Sequence, residues 1–240
     1  MKIVAIGGGQ NGRKKTMPDG TVKQYPFDNV PINKKIIELS GKKNPNLLLL
    51  GTAGRDVVSF TDYLADHFKS LGANVSELKL AENNPTEAEM RKILDKTDIV
   101  YAGGGDTLIL MNRWRETGFD RLLKEYGDQG VVLSGLSAGG ICWFDYYDND
   151  EYIDGDMSKL DFLPGLGFIK GFAVPHYDDK TPEEKKLFDN LLVKKGVVGY
   201  GIDNNAAIIF DNGKMSIMSS QPNVGIHYLN TPKQNMKERG

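Results

Sequence analysis

A serine flanked by glycines stands at Gly135-Leu136-Ser137-Ala138-Gly139-Gly140, directly after the strand-like run Val131-Val132-Leu133-Ser134. The pattern is G-x-S-x-G opening a helical run, the context in which a sharp strand-to-helix turn lifts a hydroxyl clear of the backbone toward a substrate. The Ala138 N–H, at the head of that helix, is placed to stabilise the oxyanion of a tetrahedral intermediate. The chemistry implied is acyl transfer with Ser137 as nucleophile. A glycine-rich turn with an N-capping serine is the plainer alternative, because serine is a favoured cap.

A serine hydroxyl is a weak nucleophile until a base takes its proton, and the chain holds three histidines. His67 falls in the apolar stripe of a helical segment, a packing position. His227 follows Gly225-Ile226 in a candidate last strand and carries no local signal. His176, in Ala173-Val174-Pro175-His176-Tyr177-Asp178-Asp179, follows an apolar run and precedes a helix cap. A loop at a strand end is where a base can reach such a serine, so His176 is the expected base. A second glycine-rich segment, Tyr101-Ala102-Gly103-Gly104-Gly105-Asp106-Thr107, ends a strand and opens a helix. Amides freed there bind developing negative charge and could supply a second oxyanion donor. Gly104, Gly105, Asp106 and Ala138 are the expected oxyanion and substrate-binding residues. No G-x-x-x-x-G-K-[ST] phosphate loop exists in the chain. Gly7-Gly8-Gly9-Gln10-Asn11-Gly12 does match G-x-G-x-x-G, but Pro18, Gly20, Pro26 and Pro31 follow it. No helix N-terminus can follow those glycines, so a dinucleotide site is not expected.

The elements that must position these residues alternate. Lys2–Ile6, Leu47–Leu50, Ala73–Leu78, Asp98–Ala102 and Val131–Ser134 read as strands, most of them nearly continuous apolar runs of the kind buried on both faces. Between them Ile32–Leu39, Phe60–Leu71, Thr86–Leu94 and Thr107–Tyr126 show helical spacing. The alternation predicts an α/β fold with a doubly wound, mostly parallel sheet, whose ligands lie beyond the carboxyl ends of the strands. Tyr146–Asp161, rich in Asp, Tyr and Gly, reads as a surface loop or lid. Thr181-Pro182-Glu183-Glu184 is a helix start, with the helix running to about Lys195. Val197–Ile202, Ala206–Phe210 and Met215–Met218 read as strands, the last two joined by a hairpin at Asn212-Gly213. No linker or repeat divides the chain, so residues 1–240 are expected to form one domain.

Composition narrows the function classes. With 240 residues, 40% hydrophobic, the chain can bury a core without staples. Thirty Lys and Arg against 32 Asp and Glu give a net charge of −2, which lacks the basic footprint of a nucleic-acid binder. Cys142 is the lone cysteine, so neither an intramolecular disulfide nor a cysteine zinc cluster can form. Neither metal nor cofactor is expected. The N-terminal apolar run is too short for a signal peptide, and Leu47-Leu48-Leu49-Leu50 is far short of the roughly 20 apolar residues of a membrane span. The expected location is the cytoplasm, away from membranes. The expected partner is a small peptide substrate, with a homodimer left open.

In order along the chain, Gly103-Gly104-Gly105-Asp106-Thr107, Gly135-Leu136-Ser137-Ala138-Gly139, Pro175-His176 and Gly201-Ile202-Asp203-Asn204 resemble the serine peptidases typified by aspartyl dipeptidase (peptidase E) and cyanophycinase. The resemblance implies a flavodoxin-like sheet akin to class I glutamine amidotransferases. It also implies Ser137 as nucleophile, His176 as base, and Gly105 with Ala138 as the oxyanion hole. The family's acid falls at Asn204, an amide here; Asp203 and Asp154 are the other candidates to orient His176. An amide oxygen can accept from the far ring nitrogen, as in Cys-His-Asn proteases, without a carboxylate's stabilisation of the imidazolium. Relatives of this type favour N-terminal Asp or β-linked aspartyl bonds, for which Arg55 is the candidate basic group; Arg113 and Arg115 read as solvated helix faces. Three rivals stand beside this reading. A glutamine amidotransferase needs cysteine where Ser137 stands, and Cys142 reads as a buried apolar residue. The others are an α/β esterase and a non-enzymatic binder of a small ligand.

Overall fold

The structure, a computed structural model, describes residues 1–10, 14–149, 152–154 and 156–230. In chain order the elements are β1 (Lys2–Ile6), β2 (Lys14–Thr16), β3 (Val22–Gln24), α1 (Val30–Leu39), β4 (Asn46–Leu50), α2 (Val58–Ser70), β5 (Asn74–Glu77), α3 (Glu87–Leu94), β6 (Ile99–Ala102), α4 (Thr107–Thr117) and α5 (Phe119–Asp128). There follow β7 (Val132–Leu136), α6 (Ala138–Ile141), β8 (Phe144–Asp148), β9 (Phe162–Pro164), β10 (Ile169–Val174), α7 (Pro182–Lys195), β11 (Gly199–Ile202), β12 (Ala206–Asp211), β13 (Lys214–Ser219) and β14 (Ile226–Leu229).

Seven strands form the main sheet in the order β13-β12-β1-β7-β6-β4-β5. From β1 to β5 the strands are parallel, and β12 and β13 add an antiparallel edge. The apolar runs behave as strands covered on both faces must. In β4, Leu48 and Leu50 enter one buried cluster while Leu47 and Leu49 enter the other. In β1, Ile3 and Ala5 face one way and Val4 and Ile6 the other. Ile32, Ile36, Leu64 and Phe68 from α1 and α2 cover one face. Met90, Leu110, Trp114 and Leu123 from α3, α4 and α5 cover the opposite one. Each such fully buried aliphatic side chain contributes roughly 1.5–3 kcal/mol. The α/β class and the mostly parallel sheet expected from the sequence are both present.

A second sheet, β14-β11-β10-β8-β9, has parallel β8, β10 and β11 flanked by antiparallel β9 and β14. The sequence reading anticipated β11 within Val197–Ile202 and a last strand at His227, but not that they belong to a separate sheet. Phe144, Ile169, Ala173 and Ile202 carry it onto the α3–α5 face of the main sheet, within the same buried cluster. Phe172 and Val174 pack outward against Phe188 and Leu192 of α7.

Three further differences are local. The helix read over Thr107–Tyr126 breaks at Gly118, which at φ 73° caps α4 in the left-handed region and starts α5 in a new direction. Tyr146–Asp161 is not wholly loop: its first residues belong to β8, and Ile153 and Leu160 are buried in the cluster under α7. Residues 150, 151 and 155 of that stretch lie outside the described residues, as do Asn11 and Gly12 of the first glycine-rich motif. Arg113 and Arg115 are not idle solvated positions. Arg113 donates to the carbonyls of Leu80 and Asn83 and pairs with Glu116, and Arg115 donates to the carbonyls of Pro164 and Gly165.

Other local readings hold. Thr181 and Glu184 form a reciprocal capping box on α7, which Gly196 ends in the left-handed conformation. At the β12–β13 turn Asn212 and Gly213 have φ of 48° and 87°, the double positive φ that a tight Asn-Gly hairpin requires.

His67 is a packed residue, as its place in the apolar stripe of α2 predicts. Its ring stacks on Phe27 at 3.9 Å and lies 3.0 Å from the Asn33 side-chain nitrogen. Burial lowers its pKa to about 4, so between that value and the ordinary 6.5 the unfolded chain binds the extra proton. The stabilisation from neutral His67 is complete above pH 6.5 and is lost as pH falls toward 4. Urea midpoints measured across this window should therefore decline more steeply for the wild type than for His67→Gln, by at most about 1.4 kcal/mol per pH unit.

Candidate active site

The carboxyl ends of β1, β7, β6 and β4 finish level with one another, with Ile6 paired to Leu136 and Ala102 to Gly135. The glycine-rich segments leave the sheet there, at Gly7–Gly9, Gly103–Gly105 and Ser137. The chain turns from β7 into α6 across one residue. Ser137 has φ 54° and ψ −119°, a conformation that costs a non-glycine residue on the order of 1–3 kcal/mol and persists only under strong constraint. The constraint is visible. Its amide donates to the carbonyl of Ile6 at 2.9 Å, and its own carbonyl accepts from Gly140 and Ile141 at 2.8 and 2.9 Å. The turn also packs too tightly for side chains, since a Cβ on Gly139 would lie 2.2 Å from the carbonyl oxygen of Ala102.

The second sheet brings the other polar groups. His176 follows β10 and Asn204 follows β11, and those strands are adjacent and parallel. His176 Nε2 lies 2.9 Å from Ser137 Oγ, and His176 Nδ1 lies 2.7 Å from Asn204 Oδ1. Donor and acceptor roles follow from the surroundings. Asn204 Nδ2 donates to Asp178 Oδ1 at 3.0 Å and to Asp179 Oδ2 at 2.8 Å, so its oxygen is the atom turned to the ring. An amide oxygen only accepts, which assigns the proton to Nδ1 and leaves the Nε2 lone pair for the Ser137 hydroxyl. The Ser137-to-Nε2 contact is already at hydrogen-bond distance, as base-assisted attack requires.

The other candidates for orienting His176 sit elsewhere. Asp203 is buried and faces His227, whose Nε2 is 3.0 Å from both of its carboxylate oxygens, and it also accepts from the Gly225 amide. Asp154 is exposed, at φ 50°.

Among the residues expected to bind the oxyanion, Gly104 packs against Ser137, to within 3.3 Å for an added Cβ. The Gly103 and Asp106 amides are taken by the carbonyls of Leu50 and Ala53. Gly104 and Gly105 lie between them, and Ala138 opens α6, where a helix has no acceptor of its own for the amide. Asp106, expected among the substrate-binding residues, lines neither cavity at Ser137; it caps α4 through Ile109 and accepts a hydrogen bond from the hydroxyl of Tyr152, which does line one.

Two cavities meet at Ser137 and His176. One of about 200 Å³ is lined by Tyr147, Asp148, Tyr152 and Lys180 along with Gly105 and Ala138. A wider one of about 760 Å³ is lined by Gly9, Asp28, Gly54, Asp179 and Asn205. Arg55, the basic group expected from the sequence, lines neither of them; the lysine that does is Lys180. A larger hollow of about 920 Å³ lies among Asn46, Asn74 and Thr97, at the amino ends of the strands and remote from this chemistry. Cys142 is fully buried, and burial raises its thiol pKa, which suits packing and not nucleophilic attack. Among the described residues no group of three or more His, Cys, Asp or Glu side chains could hold a metal ion.

The sequence profile of peptidase family S51 matches residues 20–218, a span that contains Ser137, His176 and Asn204. The chain belongs to peptidase family S51. It is thereby a serine-type peptidase, and relatives agree. It is 30% identical over 217 residues to the peptidase YgaJ of Bacillus subtilis, covering 89% of this chain and 85% of that one. It is 25% identical to Peptidase E of Salmonella arizonae over 74% of this chain and 77% of that one. Two solved structures share the fold. A peptidase E-type protein from Listeria monocytogenes EGD-e superposes with TM-score 0.65 at 19% identity, covering 91% of this chain and 98% of that one. A peptidase from an acI-B1 Actinobacterium gives 0.67 at 17% identity, with coverage of 95% and 93%.

The candidate site includes a residue that motif reading assigned to no role. Gly8 belongs to the glycine run that fails as a dinucleotide loop, yet a Cβ there would lie 2.2 Å from Asn204 Oδ1 and 2.3 Å from His176 Nδ1. Its bare backbone is the floor on which that pair meets. In Gly8→Ala both side chains must swing away while the fold is kept. A displacement of about 1 Å in a reacting group costs on the order of 10²-fold in rate. Peptide turnover in this variant should fall by about that factor, with circular dichroism unchanged.

Proposed function

We propose that the protein hydrolyses short peptides through an acyl-enzyme formed on Ser137, and the observation that carries this reading is the unbroken chain of contacts from Ser137 through His176 to Asn204. In this mechanism the turn holding Ser137 is a nucleophile elbow. His176 Nε2 takes the hydroxyl proton as Oγ attacks the scissile carbonyl. The oxyanion that forms is met by the Ala138 amide and by the amides of Gly104 and Gly105, each such donor being worth about 3–4 kcal/mol to the transition state. His176 then protonates the leaving amine. Water, activated by the same ring, releases the acyl group in a second pass through the cycle.

The substrates we propose are dipeptides and other short peptides with N-terminal Asp or a β-linked aspartyl bond. The likeness to Peptidase E supports that choice, as does the 200 Å³ cavity beside Ser137, which suits one short side chain and has Lys180 in its lining. A panel of dipeptides varied at the first residue, read by liberated amine, tests it. Cleavage is expected where that residue is acidic, and an equal rate for apolar first residues would overturn the preference.

Ser137→Ala should abolish turnover and fluorophosphonate labelling while keeping the melting temperature near that of the wild type. Asn204→Ala should lower kcat on the order of 10²–10³-fold with KM little changed, because the ring loses its fixed tautomer and orientation. Asp154→Ala should leave kcat near the wild-type value. Asp203→Ala should act mainly on stability, through the lost His227 and Gly225 contacts. Steady-state kinetics of the three variants on one cleaved dipeptide separates these outcomes.

A further inference from the structure

Asn204 brings no charge to His176, but its own amide is held by two carboxylates. We propose that Asp178 and Asp179 are positioning residues, a carboxylate pair that supplies through the Asn204 amide the orientation and negative potential that an acid touching the ring would supply directly. The inference rests on the reading of Ser137 and His176 given above.

The contacts account for every polar atom of the amide group. Asn204 Nδ2 has two hydrogens, and both are used, on Asp178 Oδ1 at 3.0 Å and Asp179 Oδ2 at 2.8 Å. Asp178 Oδ1 also accepts from the Asn204 backbone amide at 2.7 Å, fixing the residue at a second point. Rotation of the amide by a half turn would point its oxygen at two carboxylates and its nitrogen at a ring donor, so only one orientation survives. Hydrogen bonds to ionised acceptors are stronger than neutral ones, and bonds in a chain polarise one another. Carboxylates pulling on the nitrogen therefore make Oδ1 a better acceptor for the Nδ1 proton. The same charges favour the imidazolium that forms when Ser137 attacks. The pair is also local in sequence: both acids lie in the short helical turn Tyr177–Asp179 that His176 itself caps. The base and the groups that govern its partner thus sit on one turn.

The two roles, orientation and charge, can be separated. Asp→Asn at these positions keeps an oxygen to accept from Asn204 and removes the charge, whereas Asp179→Ala removes both. The readout is the second-order rate of Ser137 labelling by a fluorophosphonate as a function of pH, which needs no substrate. Lys180, Asp148 and Asp28, the other charged groups lining the two cavities, are unchanged in every variant.

The Asp178→Asn, Asp179→Asn double variant is expected to label about 3- to 10-fold more slowly at its plateau, with the acid limb of the profile moved to lower pH. Asp179→Ala is expected to be slower still. Asn204→Asp alone sets three carboxylates together and should be slow, while the same change combined with Asp178→Asn gives the new carboxylate a donor and should recover the wild-type rate. Asp179→Asn alone preserves the backbone tie to Asp178, so it carries the charge test if the double variant does not fold. Wild-type rates and an unmoved profile in the folded Asp→Asn variants would overturn the proposal, as would Asn204→Asp being indifferent to Asp178→Asn. Either result with Ser137 still the labelled residue sinks this inference alone. Labelling that persists in Ser137→Ala sinks the reading beneath it.

Discussion

The Asn204 side chain can offer its oxygen to His176 because its nitrogen is held by Asp178 and Asp179. That single constraint fixes the tautomer of the ring, and the tautomer fixes which atom faces Ser137. With the proton on Nδ1, the Nε2 lone pair points at a hydroxyl 2.9 Å away. With the opposite tautomer the same coordinates would present an N–H to the serine, and no proton could be taken. In the proposed mechanism the chemistry of the serine is therefore decided three contacts away from it, by groups that never approach the substrate carbonyl.

The groups that must meet are delivered by different layers. Ser137 and the glycine turns leave the main sheet, whereas His176 and Asn204 leave the second. Their meeting depends on the seam between the layers, and there the chain is bare. The His176 amide donates to the Gly7 carbonyl and the Asn205 amide to the Gly8 carbonyl. A Cβ on Gly7 would lie 2.3 Å from the Ile202 carbonyl oxygen. The apolar side of the joint is made by Ile169, Ala173 and Ile202 packing into the cluster beneath the main sheet. The glycines at the end of β1 thus serve close approach between two sheets, a structural reason for a glycine run that no helix follows directly.

Much of this was legible in the sequence, for a physical reason. Strands buried on both faces are continuous apolar runs, and β1, β4, β6 and β7 are such runs, so the main sheet could be read directly. The serine turn was legible because only small residues fit where β7 meets α6. His176 could be chosen because His67 lies in an apolar stripe and His227 carries no local signal, and the structure places His67 against Phe27 and His227 against Asp203. The second sheet was legible only in β11 and β14. Its strands β8 and β9 are half-exposed, with Asp145, Tyr146 and Asp148 interrupting the apolar pattern, and they are joined by a polar excursion that reads as loop. The break at Gly118 was missed because both helices keep the same spacing on either side of it. Lys180, Asp178 and Asp179 carry no motif; only the three-dimensional return of β11 beside β10 sets Asn204 against the turn they occupy.

Strain and rigidity complete the picture. Ser137 and His176 both have positive φ, 54° and 49°, although neither is glycine. Conformations of this kind persist where the surroundings over-determine them, and here each is held by a backbone hydrogen bond to the chain at the end of β1, from Ser137 to Ile6 and from His176 to Gly7. Consecutive carbonyls of one chain therefore set the heights of both residues. Because the two anchors are adjacent peptides at the buried end of β1, the distance between the serine and the histidine is tied to the core of the main sheet, while Asp178 and Asp179 act through Asn204 on the direction in which the ring faces and on its charge.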